Sequence, residues 1–151
     1  MHTHAFRLTP GADLKAELAR ITEAHAVRAG CILTCVGSLS QARLRMPGAI
    51  GAEDVVLTFD EPMEIVSLTG TLGPDGMHVH IALARADGAC IGGHLAGGCI
   101  VNTTAELVIG ELTDVEFRRV PDPATGYAEL NVAPRDALSA SVRGTPSRPA
   151  Q

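Results

Sequence analysis

Beyond residue 30 short apolar runs, some continuous like Cys31 to Val36 and some alternating like Leu39 to Met46, follow one another, and glycine or proline closes most of them. A period of two belongs to strands, whose side chains point alternately to opposite faces. One stretch departs from it. Leu14, Leu18 and Ile21 recur at helical spacing while Lys15, Glu17, Arg20 and Glu23 face elsewhere, with Asp13 placed to cap the start and Gly30 to stop the chain. One helix from Leu14 to about Arg28, followed by strands, predicts an α+β fold: a mainly antiparallel, barrel-like β-sheet with one principal N-terminal helix.

The strands expected are His4 to Leu8, Cys31 to Val36, Leu39 to Met46, Val55 to Phe59, Met63 to Leu72, Met77 to Ala84, Thr104 to Leu112 and Val115 to Val120. Gly73-Pro74-Asp75-Gly76 marks a hairpin turn between two of them. Gly92-Gly93 and Gly97-Gly98 frame a compact segment, and from Pro121 onward the chain reads as loop. Residues 1–134 make a single domain. Residues 135–151, rich in Ser, Pro, Arg and Ala, read as a disordered tail.

A length of 151 residues suits one domain. Aromatic residues are confined to Phe6, Phe59, Phe117 and Tyr127, so the core is built from Val, Ile, Leu and Ala. A core of small residues favours self-association, because one chain alone buries little. The net charge of −5 and pI near 5.6 oppose any general attraction to nucleic acid or to anionic membranes. The N-terminus lacks the pattern of a secretory signal, and no apolar run is long enough to span a bilayer. Cys31, Cys35, Cys90 and Cys99 form no CxxC pair and read as reduced, small apolar residues of a cytoplasmic protein.

The sharpest chemical signal is Met77-His78-Val79-His80-Ile81-Ala82-Leu83-Ala84. Alternation sends Met77, Val79, Ile81 and Leu83 to the core and His78, His80, Ala82 and Ala84 to the other face. Two residues along a strand advance roughly 6.5–7 Å, which lets both imidazoles converge on one ion at about 2.0–2.1 Å per Zn–N bond. The Asp87-Gly88 turn allows the chain to fold back and deliver His94, and Gly92-Gly93 permits close backbone approach there. Three histidines with an open fourth position describe a catalytic rather than a structural zinc site. Cys90 and Cys99 flank His94 but are not needed to complete the set. His2, His4 and His25 are read as ordinary surface residues.

Further candidates have plainer readings beside the functional ones. Glu64 lies on the face of Val66 and Leu68 by alternation, so it is a fourth ligand, a general acid/base, or an ion-pair partner, for example of Arg7. Arg7 is a candidate to hold a small anionic ligand. Arg43 and Arg45 share a strand face and make the best small basic patch, read as a solvated face. Ser38 follows Gly37 with no evident Ser/His/Asp arrangement, which favours packing. No phosphate-binding glycine loop is present.

Taken together, several motifs resemble those of the PPC domain, the plants and prokaryotes conserved domain of unknown function. They are Arg7-Leu8-Thr9-Pro10-Gly11-Ala12-Asp13-Leu14, Val36-Gly37-Ser38-Leu39, Glu64-Ile65-Val66-Ser67-Leu68-Thr69-Gly70-Thr71, His78-Val79-His80-Ile81, Asp87-Gly88, Gly92-Gly93-His94-Leu95, Thr103-Thr104-Ala105-Glu106 and Phe117-Arg118-Arg119. Their order runs over about Phe6 to Leu130. The resemblance implies a mainly antiparallel domain assembled as a homotrimer, of the standalone bacterial type. It is similar in fold to acetolactate decarboxylase, a zinc lyase that holds its metal with an HxH pair and a later histidine, and His78, His80 and His94 fit that layout. By this resemblance a divalent metal, zinc first, is the expected cofactor, with lyase or hydrolase-like activity as the enzymatic reading.

Family members are often described as DNA-binding, which makes DNA the alternative partner, and an inert trimeric interaction module is a third reading. Two departures weaken the DNA reading. The only echo of an AT-hook is Arg143-Gly144-Thr145-Pro146, without the second arginine. The plant domain's Gly-Arg-Phe-Glu-Ile-Leu protein-contact stretch is here Glu61-Pro62-Met63-Glu64-Ile65-Val66.

Overall fold

Asp13 Oδ1 accepts the backbone N–H groups of Lys15 at 2.9 Å and Ala16 at 3.2 Å, which fixes the start of helix α1 (Leu14–Ala24) as the sequence implies. The helix ends one turn before Arg28. His25 caps it, Ala26 takes a φ of +50°, and the Val27 N–H turns back to the Thr22 carbonyl. That left-handed residue breaks the helical ladder, so the stop is Ala26, and Gly30 instead opens a strand. This computed structural model describes residues 1–48 and 55–135. The tail from residue 136, with the Arg143-Gly144-Thr145-Pro146 echo, and most of the loop at 47–52 lie outside the described residues.

The strands are β1 (His2–Leu8), β2 (Gly30–Arg45), β3 (Val56–Phe59), β4 (Met63–Gly73), β5 (Gly76–Ala84), β6 (Cys90–Leu95), β7 (Ile100–Glu111), β8 (Val115–Pro121) and β9 (Ala128–Pro134). The main sheet has the order β1-β7-β2-β4-β5-β6, with β3 added to β2, and every pairing is antiparallel. The far end of β2 also pairs with β6, Leu44 opposite Leu95 and Arg45 opposite His94. The sheet therefore curls until β2, β4, β5 and β6 form part of a ring. The α+β expectation holds, with a partly ring-like sheet rather than a full barrel.

Three strand expectations are corrected. Cys31 to Val36 and Leu39 to Met46 are one strand, β2, which continues through Gly37-Ser38 by slipping register against β7 instead of ending. The Gly92-Gly93 segment is strand β6, not a compact loop. The chain after Pro121 turns at Asp122–Gly126, where the Gly126 N–H meets the Asp122 carbonyl, and returns as β9 against β8.

The core lies between the helix and the inner sheet face. Leu14, Leu18 and Ile21 of α1 belong to one buried cluster with Leu39, Leu44, Leu83, Leu107 and Ile109. In β5, Val79, Ile81 and Leu83 are buried while His78 and His80 are exposed, so the alternation read from sequence fixes which face carries the imidazoles. Met77 is only partly buried. The β8–β9 hairpin is anchored by the Phe117 N–H on the Arg28 carbonyl (2.9 Å) and by the Arg28 guanidinium on Glu116.

Candidate metal centre

His78 and His80 project from the same face of β5, and β6 lies beside it with His94 directly opposite His80. The Asp87-Gly88 turn that joins the two strands supplies the fold-back. Gly92 and Gly93 pass so close to their neighbours that an added Cβ would lie 2.8 Å from the Ile81 carbonyl oxygen and 3.0 Å from that of Arg45. The close approach expected of the glycine pair is thus used.

One donor atom from each imidazole lies within 4.8 Å of the other two, and His78 Nε2 and His80 Nε2 are 3.2 Å apart. Ring centroids are separated by 4.9 Å, 5.2 Å and 5.5 Å. Among the described residues this is the one group of three or more potential metal ligands with such mutual proximity. His94 Nδ1 is buried with no hydrogen-bond partner among the described residues. A buried polar nitrogen left unpaired is costly, and a coordinated cation is one partner that satisfies it.

The electrostatics favour the ligand form of the rings. Burial lowers the pKa of His94 to about 4, helped by the positive charge of Arg45 and by the neighbouring histidines. Burial, His80 and Arg119 lower that of His78. At neutral pH both rings are uncharged and offer lone pairs, as coordination requires.

Two clefts border the triad. One, of about 350 Å³, is lined by Arg45, Met46, His80, His94 and Tyr127 among others. The second, of about 420 Å³, is lined by Arg45, Asp75, His78, His94, Arg119, Tyr127 and Glu129 among others. A third hollow, of about 450 Å³ between α1 and the β4–β5 turn, contains none of these histidines.

Other sequence candidates stand elsewhere. Glu64 is exposed and pairs with Ser38 and Ala84, four residues and about 13 Å of strand from His80. A register slip between Ile65 and Ser67 puts Glu64 and Val66 on the open side and Leu68 inside, so the shared apolar face expected for Glu64 does not form. Arg7 is on β1, opposite Glu106, with its Nε donating to Thr104 Oγ1 at 3.2 Å. Three strands separate it from β5, roughly 19 Å across the sheet, and β7 and β2 separate it from Glu64. Within one chain neither Glu64 nor Arg7 reaches the triad.

Arg43 and Arg45 do not make one solvated patch: Arg43 Nη1 donates to the Gly97 carbonyl at 3.3 Å, and Arg45 faces both clefts. Ser38 is buried and hydrogen-bonded to Thr103 Oγ1 at 2.9 Å, a packing role. Cys35 and Cys99 are buried, and burial raises the Cys35 thiol to about 11 and the Cys99 thiol in the same direction. Cys90 is exposed, and neither it nor Cys99 joins the triad.

His2, His4 and His25 are gathered rather than scattered. The His2 and His4 rings are 4.6 Å apart, those of His4 and His25 5.2 Å, and His4 Nε2 is 3.5 Å from Glu111 Oε2. Sequence reasoning expected the strand that carries Arg119 but gave that residue no site role, and it missed Tyr127 and Glu129, which lie in the stretch read as loop. The alternation of Glu129-Leu130-Asn131-Val132 carries the strand period that would have shown β9.

Fold and site together define a small antiparallel α+β domain that presents three convergent imidazoles at the rim of its curled sheet. The chain belongs to the Plants and Prokaryotes Conserved (PCC) domain family, whose profile matches residues 1–113. It is 48% identical over 132 residues to the bifunctional protein GlmU of a Synechococcus strain, covering 87% of this chain and 21% of that one. The chain thus spans about a fifth of the length of the first curated relatives it matches. It is 30% identical to the Arabidopsis thaliana AT-hook motif nuclear-localized protein 7, over 71% of this chain and 35% of that one.

Among solved structures, a Salmonella enterica protein superposes with a TM-score of 0.84 at 37% identity, over 89% of this chain and 94% of that one. An Archaeoglobus fulgidus protein described as metal-containing gives 0.75 at 25% identity, over 87% and 94%. A Staphylococcus aureus protein described as similar to α-acetolactate decarboxylase gives 0.51 at 14%, over 73% and 52%, a likeness of fold alone. No helix among the described residues is long and apolar enough to cross a membrane.

Proposed function

We propose that this chain is a metal-dependent protein in which His78, His80 and His94 hold one divalent cation, zinc first, and the adjoining clefts take a small anionic molecule. The observation that carries this reading is the convergence of three imidazoles, with one buried ring nitrogen that has no hydrogen-bond partner among the described residues. The Archaeoglobus relative described as metal-containing supports it. Three imidazoles suit several first-row metals, with zinc among the commonest in such donor sets. When bound, such an ion polarises a carbonyl or activates water, which makes lyase or hydrolase chemistry the activity to look for.

The residues have separable tasks. His78 and His80 are fixed in mutual orientation by a shared strand face, and His94 by the opposite strand, so no side-chain search is needed to assemble the set. Titration with Co²⁺ is expected to give the visible absorption of a low-coordinate imidazole site, saturating at one equivalent per chain. A featureless titration overturns the reading.

Self-association into a trimer, which the family resemblance implies, belongs to the same proposal. Leu33 and Val36 on β2 and Val66 on β4 are about half exposed or more, an apolar surface that a second chain would cover. Sedimentation velocity is expected to show one species of three chains, and a monomer at micromolar concentration contradicts it. DNA binding, suggested by the AT-hook relatives, gains nothing from a chain of net charge −5. Duplex binding at physiological salt with a steep salt dependence would replace the present reading.

A further inference from the structure

We infer that Arg45 and the β8–β9 hairpin, through Arg119 and Tyr127, form the recognition element for a small carboxylate that binds beside the three histidines. The inference rests on the metal reading above and names the ligand class and the residues that select it.

The placement comes from two independent parts of the fold. Arg45 is brought to the triad by closure of the ring, because the last residue of β2 pairs directly with His94. Arg119 comes from β8. Its Nη2 donates to Thr71 Oγ1 at 2.8 Å, and Thr71 is the residue opposite His78 on β4. The hairpin is held in this position by Arg118 on Asp75 at 3.2 Å and by the Arg119 N–H on the same carboxylate at 3.2 Å. Tyr127 lines both clefts.

Charge balance then indicates the ligand. The larger cleft is lined by Arg45 and Arg119 and by Asp75 and Glu129, and Asp75 is already paired with Arg118. A divalent ion held by the histidines would add two positive charges there, in a chain whose total is −5. A negatively charged ligand is what such a pocket lacks. Clefts of about 350 and 420 Å³ admit a molecule of modest size.

A carboxylate fits better than a phosphate. The planar fork of arginine matches a carboxylate with two parallel hydrogen bonds. A phosphate cradle is usually built from a helix N-terminus or a run of backbone N–H groups, and no residue of α1 lines either cleft.

The hairpin also lies beyond residues 1–113, the part that the family profile matches. The ion site comes from β5 and β6, and on this inference Arg45 and the hairpin set which carboxylate is accepted.

The test uses the full chain loaded with Co²⁺ and oxalate as the probe, followed by visible absorption, with inorganic phosphate as a second arm. Wild-type protein is expected to bind oxalate with a change in the Co²⁺ spectrum. Arg45→Gln and Arg119→Gln are expected to take up one Co²⁺ with the wild-type spectrum but to bind oxalate at least tenfold more weakly, while Arg7→Gln binds it normally. Oxalate binding that is equal in all three variants overturns the inference and leaves the metal reading standing. Tighter binding of phosphate than of oxalate overturns the carboxylate assignment. Wild-type protein that takes up no Co²⁺ overturns both.

Discussion

Zinc at a thousand times its dissociation constant is expected to stabilise the wild-type protein by about 4 kcal/mol and a His78→Ala/His80→Ala/His94→Ala variant not at all. An ion that binds the folded chain and not the unfolded one shifts the folding equilibrium by its occupancy, and the three donors come together only when β5 and β6 pair. His78 and His80 are exposed, so their removal takes no packing from the core. Chemical denaturation with and without zinc, on both proteins, gives the result directly. Each single alanine variant is expected to lose at least about 100-fold in zinc affinity, more than the 10–100-fold that loss of a merely supporting residue costs. Equal zinc stabilisation of the wild type and the triple variant would place the metal elsewhere.

Gly70→Ala is expected to damage fold and site at once. Gly70 lies on β4 opposite Val79, the residue between the two β5 histidines. An added Cβ there would stand 2.8 Å from Val79 Cα and nearer still to the His78 carbonyl oxygen. These are backbone atoms, which no rotamer change can move, so β5 itself must shift. Overpacking of this kind costs about 1–3 kcal/mol. The shift falls between His78 and His80, so zinc affinity is expected to drop at least tenfold with every ligand still present. Ser67→Ala, on the same strand, exposed and opposite Ala82, serves as the control and is expected to change neither quantity. Denaturation midpoints and zinc titrations of the two variants separate the cases. Wild-type affinity in a folded Gly70→Ala protein would mean that the spacing of the β5 histidines is not what the site depends on.

How much of this was legible in the sequence depends on how far each feature is determined locally. The start of α1 was, because Asp13 and the spacing of Leu14, Leu18 and Ile21 act within one turn. So was the exposed pair on β5, because strict alternation with Val79, Ile81 and Leu83 leaves one face for the core. The delivery of His94 opposite His80 was legible only as a possibility of the turn, since register is set by pairing between strands.

The misreadings share a cause. A register slip after Ile65 turned Glu64 outward, and another let β2 continue through Gly37, where glycine and serine look like a strand end. The role of Arg45 depended on the ring closing between β2 and β6, a contact between residues 49 positions apart that no local pattern encodes. Strand β9 was the avoidable loss. Its period of two was present but was outweighed by Pro121, Pro123 and Gly126, and with it went Tyr127 and Glu129.

The central claim is that three histidines on neighbouring strands hold a metal ion, and it is tested most directly by elemental analysis of the protein purified without an affinity tag. The account predicts close to one equivalent of a divalent transition metal per chain, zinc foremost, absent from the folded His78→Ala/His80→Ala/His94→Ala variant. Protein that arrives metal-free, and stays so after incubation with excess zinc and removal of the unbound ion, would contradict it.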